Sequence, residues 1–538
     1  MNSGFPGSSR PCLPVSVMSR TRDTPRRTTP PGVFSLTLMN DPRRHPVWHS
    51  HFRDAREKAL GPFISGGGNA VRRSATAAGV PGARDALRAD VSTPAVVLKF
   101  DPNVMHHGGL GVIRSLGRMG VPVYAVQEGP WAPAASSRYL HGRCFWQPSP
   151  ADVDRVRAGL MRLAGHIGRP AVLLATDDAG AIFLAEHGAD LRPYFLFPDP
   201  APGLPRKLAG KFSLHDACRE LGVPCPHAAV PASLAAARGF AAAAGYPLIA
   251  KLATPWSKGQ GRRLRSTSIL AGRADLDAVY AACAGAGTGL MLQEFIPGGA
   301  GHDWFFHGYC DSGSVCRPAF TGVKERSYPT HAGLTSLGRS VSNDSLRGEV
   351  TALLRRLGYR GILDLDLRLD PRDGRYKLLD FNPRLGAQFR VFRTAAGVDV
   401  ATAAYLDLTG SAIPDGEQVD GRAFLVENYD PIGALGYWRS GELGLRQWLA
   451  SLRRVDEVAW FARDDLRPFG LMCVRMGWRL ATRPLAGGHD RVAPREFSYS
   501  SGRAAAGAGL GHRRVRQITG VLARPQAAAQ PSQEGARV

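Results

Sequence analysis

The chain has 538 residues, 44% of them hydrophobic, and a formal net charge of +23. That length suits about three domains or lobes. The charge is not a nucleic-acid footprint: residues 1–90 carry +8 and residues 481–538 carry +6, leaving only +9 for the whole middle, so no specific nucleic-acid partner is expected.

Both ends are rich in Arg, Pro, Gly, Ser and Ala with little hydrophobic periodicity. Too little apolar surface is available there to offset the entropy of ordering, which predicts disordered basic segments at 1–92 and 483–538. No apolar run reaches the length of a membrane span, and residues 1–30 lack the apolar core of a signal peptide, so a soluble cytoplasmic protein with no transmembrane segment is expected. The eight cysteines form no CxxC pair and no zinc spacing, as suits scattered reduced thiols. Cys218 and Cys225 are near neighbours in sequence.

Ordered structure is expected from about Thr93. Ala95–Phe100 reads as a short apolar strand, His106–Gly111 as a glycine-rich turn, Val112–Met119 as a helix and Val121–Val126 as the next strand, a βαβ opening. Gly108-Gly109-Leu110-Gly111 lacks the spacing of a dinucleotide fingerprint. A second unit follows: helix Ala151–Ile167, strand Ala171–Ala175, then Thr176-Asp177-Asp178 at the strand's carboxyl end, where ligands of open α/β sheets collect. Asp178 has two readings there, a contact to a substrate amine or the cap of the helix Ala179–His187.

A helix is expected between Leu204 and the Leu221-Gly222-Val223-Pro224-Cys225-Pro226 turn, carrying Lys207 and Lys211. Tyr246–Lys251 reads as a strand ending in a lysine, ordinarily a solvated rim residue. Ser257, Gly259 and Gly261, followed by Arg262, Arg263 and Arg265, make a flexible basic loop of the kind that closes over phosphates. Leu290–Gly298 is a buried strand, with Gln293, Glu294 and Ile296, broken by Pro-Gly. Asp303 opens a further strand, and Arg326 stands in a polar loop where a guanidinium fork suits a phosphate or a carboxylate.

Gly361–Arg384 is the densest signal. Leu363, Leu365, Leu367 and Leu369 alternate with Asp364, Asp366, Arg368 and Asp370, the period of a strand with one polar face. Pro371-Arg372-Asp373-Gly374 makes a turn, and Tyr376–Asn382 returns. A three-residue loop at 372–374 puts Asp366 opposite Asp380 and Asp364 opposite Asn382. Facing carboxylates repel unless a cation lies between them, and magnesium, which combines a few carboxylates with phosphate oxygens, is the natural ion.

The run Asp380-Phe381-Asn382-Pro383-Arg384 resembles the ATP-grasp superfamily, whose late hairpin ends in an acidic residue, an apolar residue and Asn-Pro-Arg. The resemblance implies an α/β and α+β protein: a small Rossmann-like pre-ATP-grasp domain at 93–203, a two-lobed ATP-grasp domain at 204–410 and a C-terminal lobe at 411–482. It also implies ATP and two magnesium ions, with manganese an alternative, the metal being held by Asp366, Asp380 and Asn382. By the same resemblance Lys211 and Lys251 grip phosphates under the Ser257, Gly259 and Gly261 loop. Gln293, Glu294 and Ile296 lie near adenine and Asp303 meets the ribose, while Arg326 and Arg384 act on the transferred phosphate or the substrate carboxylate. The expected function is ADP-forming ligation of a carboxylate, an amino acid foremost, to an amine through an acylphosphate, on small-molecule substrates and with a homodimer allowed. A kinase or carboxylase on the same nucleotide fold, and a non-catalytic nucleotide-binding protein, are the alternatives.

Overall fold

The computed structural model describes residues 90–252, 267–331 and 333–482. The loop with Ser257, Gly259 and Gly261 lies outside them, as do both basic ends. No helix among the described residues is long and apolar enough to cross a membrane.

The first layer is a parallel five-stranded sheet built from β1 (Ala95–Leu98), β2 (Val123–Gln127), β3 (Leu140–Phe145), β4 (Ala171–Ala175) and β5 (Phe195–Leu196), in the order β3-β2-β1-β4-β5. The sheet therefore winds outward in both directions from β1 and β4, and the crevice beyond their carboxyl ends is the point where such sheets take ligands. Its central strands β1 and β4 are continuous apolar runs, as suits a sheet whose strands are accompanied by the helices α1 (His107–Met119), α2 (Val153–Ile167) and α3 (Asp178–His187).

α1 begins at His107, so the expected glycine turn is instead the helix's first turn. Packing explains the glycines: a Cβ on Gly111 would stand 2.7 Å from the Phe389 ring, and one on Gly108 would stand 3.2 Å from the Ala387 backbone. The cap of α3 is Asp177, whose Oδ1 accepts from Gly180 N at 2.8 Å and whose Oδ2 accepts from the amides of Phe100 and Asp101. Asp178 is thereby free of the capping role.

The helix expected from Leu204 is two helices, α4 (Leu204–Ala209) and α5 (Lys211–Leu221), because Gly210 is extended at φ −71° and ψ 128°. A four-stranded antiparallel sheet then follows the order β6 (Ala228–Ala229), β9 (Leu290–Glu294), β7 (Leu248–Leu252), β8 (Thr267–Leu270). It buries Leu248, Ala250 and Leu292 with Ala237, Ala241 and Leu276 of α6 (Leu234–Ala244) and α7 (Arg273–Gly285).

The largest sheet has seven strands. It comprises β10 (Asp303–Cys310), β11 (Cys316–Tyr328), β12 (Leu334–Ser340), β13 (Gly361–Asp370), β14 (Arg375–Asn382), β15 (Ala423–Leu425) and β16 (Glu457–Val458), in the order β14-β13-β10-β11-β12-β15-β16. α8 (Asp344–Leu357) covers one face, where Leu346, Val350 and Leu354 meet Phe306, Leu363 and Leu365. α9 (Val400–Leu408) covers the other and joins Phe305 and Phe320 to the core of the parallel sheet.

The segment after residue 410 is not a free-standing unit. β15 and β16 extend the central sheet, α10 (Asp430–Arg439) packs on β11, and α12 (Arg467–Thr482), which follows α11 (Leu445–Leu452), packs against the turn Pro133–Ser136.

Candidate active site

The β13–β14 pairing places Asp366 opposite Asp380 and Asp364 opposite Asn382, by a route different from the one expected. Asp370 pairs with Arg375, so the turn has the four residues 371–374, and a bulge between Leu378 and Asp380 restores the register. Gly374 takes the left-handed position at φ 68°.

Three lysines converge on the two central carboxylates. Lys211, at the start of α5, puts its Nζ 2.7 Å from Asp380 Oδ1, and Lys251 of β7 donates to the same oxygen at 3.0 Å and to Leu379 O at 2.9 Å. Lys324 of β11 stands 3.2 Å from Asp366 Oδ1. Burial alone would raise the Asp380 carboxyl, but Lys211 and Lys251 hold it well below the usual carboxylate range. Asp366 has only Lys324 against both burial and its acidic neighbours Asp364 and Asp380, and it is raised. Burial lowers Lys251, with Lys211 adding to the push, whereas Asp380 and its neighbours raise Lys211 despite burial. These carboxylates and lysines thus form one alternating charge cluster joining the four-stranded and seven-stranded sheets.

Asn382 is buried and donates to Asp364 O at 3.2 Å. Among the described residues no three His, Cys, Asp or Glu side chains converge as a metal cage. Two facing carboxylates and an amide supply hard oxygen donors for part of a magnesium shell and leave the remainder for phosphate and water, so the donor set fits that ion.

Arg384 leads into a second cluster. Its Nη1 donates to Asp364 Oδ2 at 2.8 Å, and its Nε lies 3.4 Å from Asp178 Oδ1. Asp178 sits at the carboxyl end of β4, in the crevice of the parallel sheet, and burial raises its carboxyl against the pull of Arg384 and Lys211. Behind Asp364, the fully buried His307 of β10 brings its Nε2 to 3.0 Å from Oδ1. Burial opposes ionisation of Asp364, yet His307 and Arg384 hold its carboxyl well below the usual range. Gly386 makes this approach possible, since a Cβ there would lie 2.2 Å from His307 Cε1 and 2.7 Å from Asp364 Cγ.

Gln293, Lys211 and Lys251 line a cavity with Leu214, His215, Cys218, Cys225 and Met291. Glu294 turns from it: its N–H donates to His227 O at 2.8 Å, and its carboxylate takes His227 N at 2.8 Å and Arg372 Nη1 at 2.9 Å. Ile296 is buried, and Asp303 pairs with Arg368 at 3.2 Å.

Arg326 does not join the cluster. Its guanidinium is bidentate to Asp430 at 2.8 and 2.9 Å and reaches Ser451 Oγ at 3.0 Å, so it fastens β11 to α10 and α11. The cause is a bulge: Lys324 pairs with Gly338 and Arg326 with the adjacent Leu337, so the intervening Glu325 throws Lys324 and Arg326 to opposite faces. Lys324 is the cation that sequence reasoning overlooked. Its signal was present two residues before Arg326, but the bulge that selects between them carries no mark in sequence.

The acidic hairpin thus faces one lysine from the neighbouring sheet, Lys251, one from α5, Lys211, and one from its own sheet, Lys324. The chain is related to the D-aspartate ligase of Enterococcus faecium (strain Aus0004), with 26% identity over 242 residues, 43% of this chain and 56% of the relative, so it spans just over half of that protein's length. No family model matches. Solved structures with similar folds include biotin carboxylase from Campylobacter jejuni (15% identity, TM-score 0.44, 62% of this chain and 74% of that one). N5-carboxyaminoimidazole synthetase from Staphylococcus aureus is another (10% identity, TM-score 0.45, 62% of this chain and 81% of that one).

Proposed function

We propose that the protein is an ATP-dependent, ADP-forming ligase that joins a small-molecule carboxylate to an amine. The observation that carries this reading is the adjacency of two clusters: Asp366 and Asp380 under Lys211, Lys251 and Lys324, and, two residues beyond the hairpin's end at Asn382, Arg384 between Asp364 and Asp178. The first is the chemistry of a polyphosphate site and the second that of a zwitterion.

In this reading Lys211 and Lys251 leave Asp380 for the phosphates of ATP, with Gln293 toward the base and Ser257, Gly259 and Gly261 supplying the covering loop. Asp366, Asp380 and Asn382 would hold magnesium, which supplies charge neutralisation on the phosphates; two ions suit the donor set, and manganese would substitute. Lys324 faces the transferred phosphoryl group. Arg384 orients the substrate carboxylate, whose oxygen attacks the γ-phosphorus, releasing ADP and forming an acylphosphate. The amine, held toward Asp178, attacks the acyl carbon and expels phosphate. Positioning and electrostatic stabilisation account for the rate in this reading.

The test is hydroxamate formation by the full chain with ATP, magnesium, hydroxylamine and a panel of amino acids headed by D-aspartate, the acid in the relative's name. Hydroxamate with one acid, lost in Asp380→Ala, is expected. ADP release with no hydroxamate from any acid would overturn the ligase reading in favour of a kinase.

A further inference from the structure

Cys218 and Cys225 bracket the turn after α5, and both line the cavity that Lys211, Lys251 and Gln293 share. The turn is closed by Val223 N donating to Cys218 O at 2.8 Å, with Gly222 left-handed at φ 66°. Cys225 packs against the buried cluster that holds Cys218, and its Sγ lies 3.5 Å from Nδ1 of His215, one helical turn before Cys218. Cys218 is buried and Cys225 only half-buried, so one thiol is reachable and the other waits behind it. The neighbouring Cys218, with the charges of Lys377 and Arg219, holds the Cys225 thiol below its ordinary value despite burial. Cys225 and burial push Cys218 up. An accessible, lowered thiol beside a buried partner is the arrangement of an attacking and a resolving cysteine.

The turn is also tied to both sides of the candidate site. Pro224 O accepts from Leu378 N of β14 at 2.8 Å, two residues before Asp380, and His227 exchanges backbone and carboxylate bonds with Glu294 of β9. A change in the turn is therefore felt at the strand that carries Asp380.

We infer that Cys218 and Cys225 form a redox-modification site in the wall of this cavity, converted by a low-molecular-weight disulfide to an intramolecular disulfide. The Cys225 thiolate attacks one sulfur of the reagent, forming a mixed disulfide and expelling one thiolate. Cys218, after giving up its proton to solvent, attacks Cys225 Sγ and expels the second. Two protein thiols and one reagent disulfide become one protein disulfide and two reagent thiols. A second dithiol supplies the contrast: Cys310 and Cys316 are Cα partners across β10 and β11, but Cys310 is 1% exposed and its proximity, with burial, drives the Cys316 thiol well up. That pair should remain reduced.

The test treats the folded full-length chain with oxidised glutathione and maps disulfides by mass spectrometry, with and without saturating MgADP whose binding is measured separately by calorimetry. One Cys218–Cys225 disulfide, reversible with dithiothreitol, is expected, and Cys218→Ser should trap glutathione on Cys225 whereas Cys225→Ser should trap none at either position. The link to the nucleotide rests on the proposed function; if the cavity holds it, MgADP should slow disulfide formation on the order of tenfold or more. Oxidation of Cys310 and Cys316 first, glutathione only on the exposed Cys473, or an undiminished rate with MgADP demonstrably bound would overturn the inference. Disulfide formation in a chain that binds no nucleotide would uphold the dithiol site while removing the function proposed above.

Discussion

Lys324 and Asp178 are the residues on which the two halves of the chemistry separate. Lys324 is raised by Asp366 and Asp303 despite its burial, which favours its charged form. Lys324→Ala should lower kcat by about 10²- to 10³-fold, the range for loss of one preorganised charge at a developing anion, while ATP affinity measured by calorimetry changes far less. Asp178→Asn should act on the other substrate. Initial-rate kinetics should give a raised KM for the amine with KM for ATP near that of the parent, and equal rises in both would refute the assignment.

At the scale of elements, two buried contacts fix how the strands present these residues. Arg326 and Asp430 are 6% and 0% exposed, so Arg326→Ala would leave an uncompensated buried carboxylate between β11 and α10 at a cost of about 3–5 kcal/mol. Chemical denaturation should register that loss, and because Arg326 faces away from Lys324, the remaining folded fraction should keep its kcat. Gly386→Ala forces a methyl group into the His307 ring and should cost about 1–3 kcal/mol from overcrowding, with a lowered Tm as the readout.

The same elements show what a sequence reveals. The facing of Asp366 and Asp380 is legible because alternation and turn residues are local, contained in 22 consecutive positions of 361–382. Lys211 and Lys251 come within reach through the resemblance of their surroundings, and the structure brings both onto Asp380. His307 is invisible in sequence because its partner Asp364 lies 57 positions away and is met only through the β10–β13 register. Arg326 is expected from sequence in a polar loop but lies within β11, where a single bulged residue turns it from the face of Lys324.

At the scale of the whole molecule, the segment leading into the last described helix, residues 459–465, returns to the first helix. Arg114 of α1 is fully buried and donates to Ala459 O, Trp460 O and Asp465, while Arg118 and Tyr139 hold the neighbouring Asp464 at 2.9 and 2.6 Å. These bonds keep the Asp464 carboxyl well below its ordinary range. A carboxyl lowered by folding contributes stability above its unfolded value and loses it as pH falls through the folded one. The Tm difference between the parent and Asp464→Asn should therefore be largest above about pH 4 and shrink as the medium becomes more acidic.

Thirteen residues, 367–379, separate Asp366 from Asp380, here laid out as four cross-strand pairs, a four-residue turn and the bulge at Leu379. A three-residue turn with five pairs and no bulge would use the same thirteen residues and reach the same pairing. The bulge thus gives the hairpin slack in both directions: a single deletion or a single insertion within 371–374 can be absorbed by straightening β14 around a four-residue turn, with Asp366 still facing Asp380. Natural length variation of one residue in this turn should accordingly be tolerated without loss of the site.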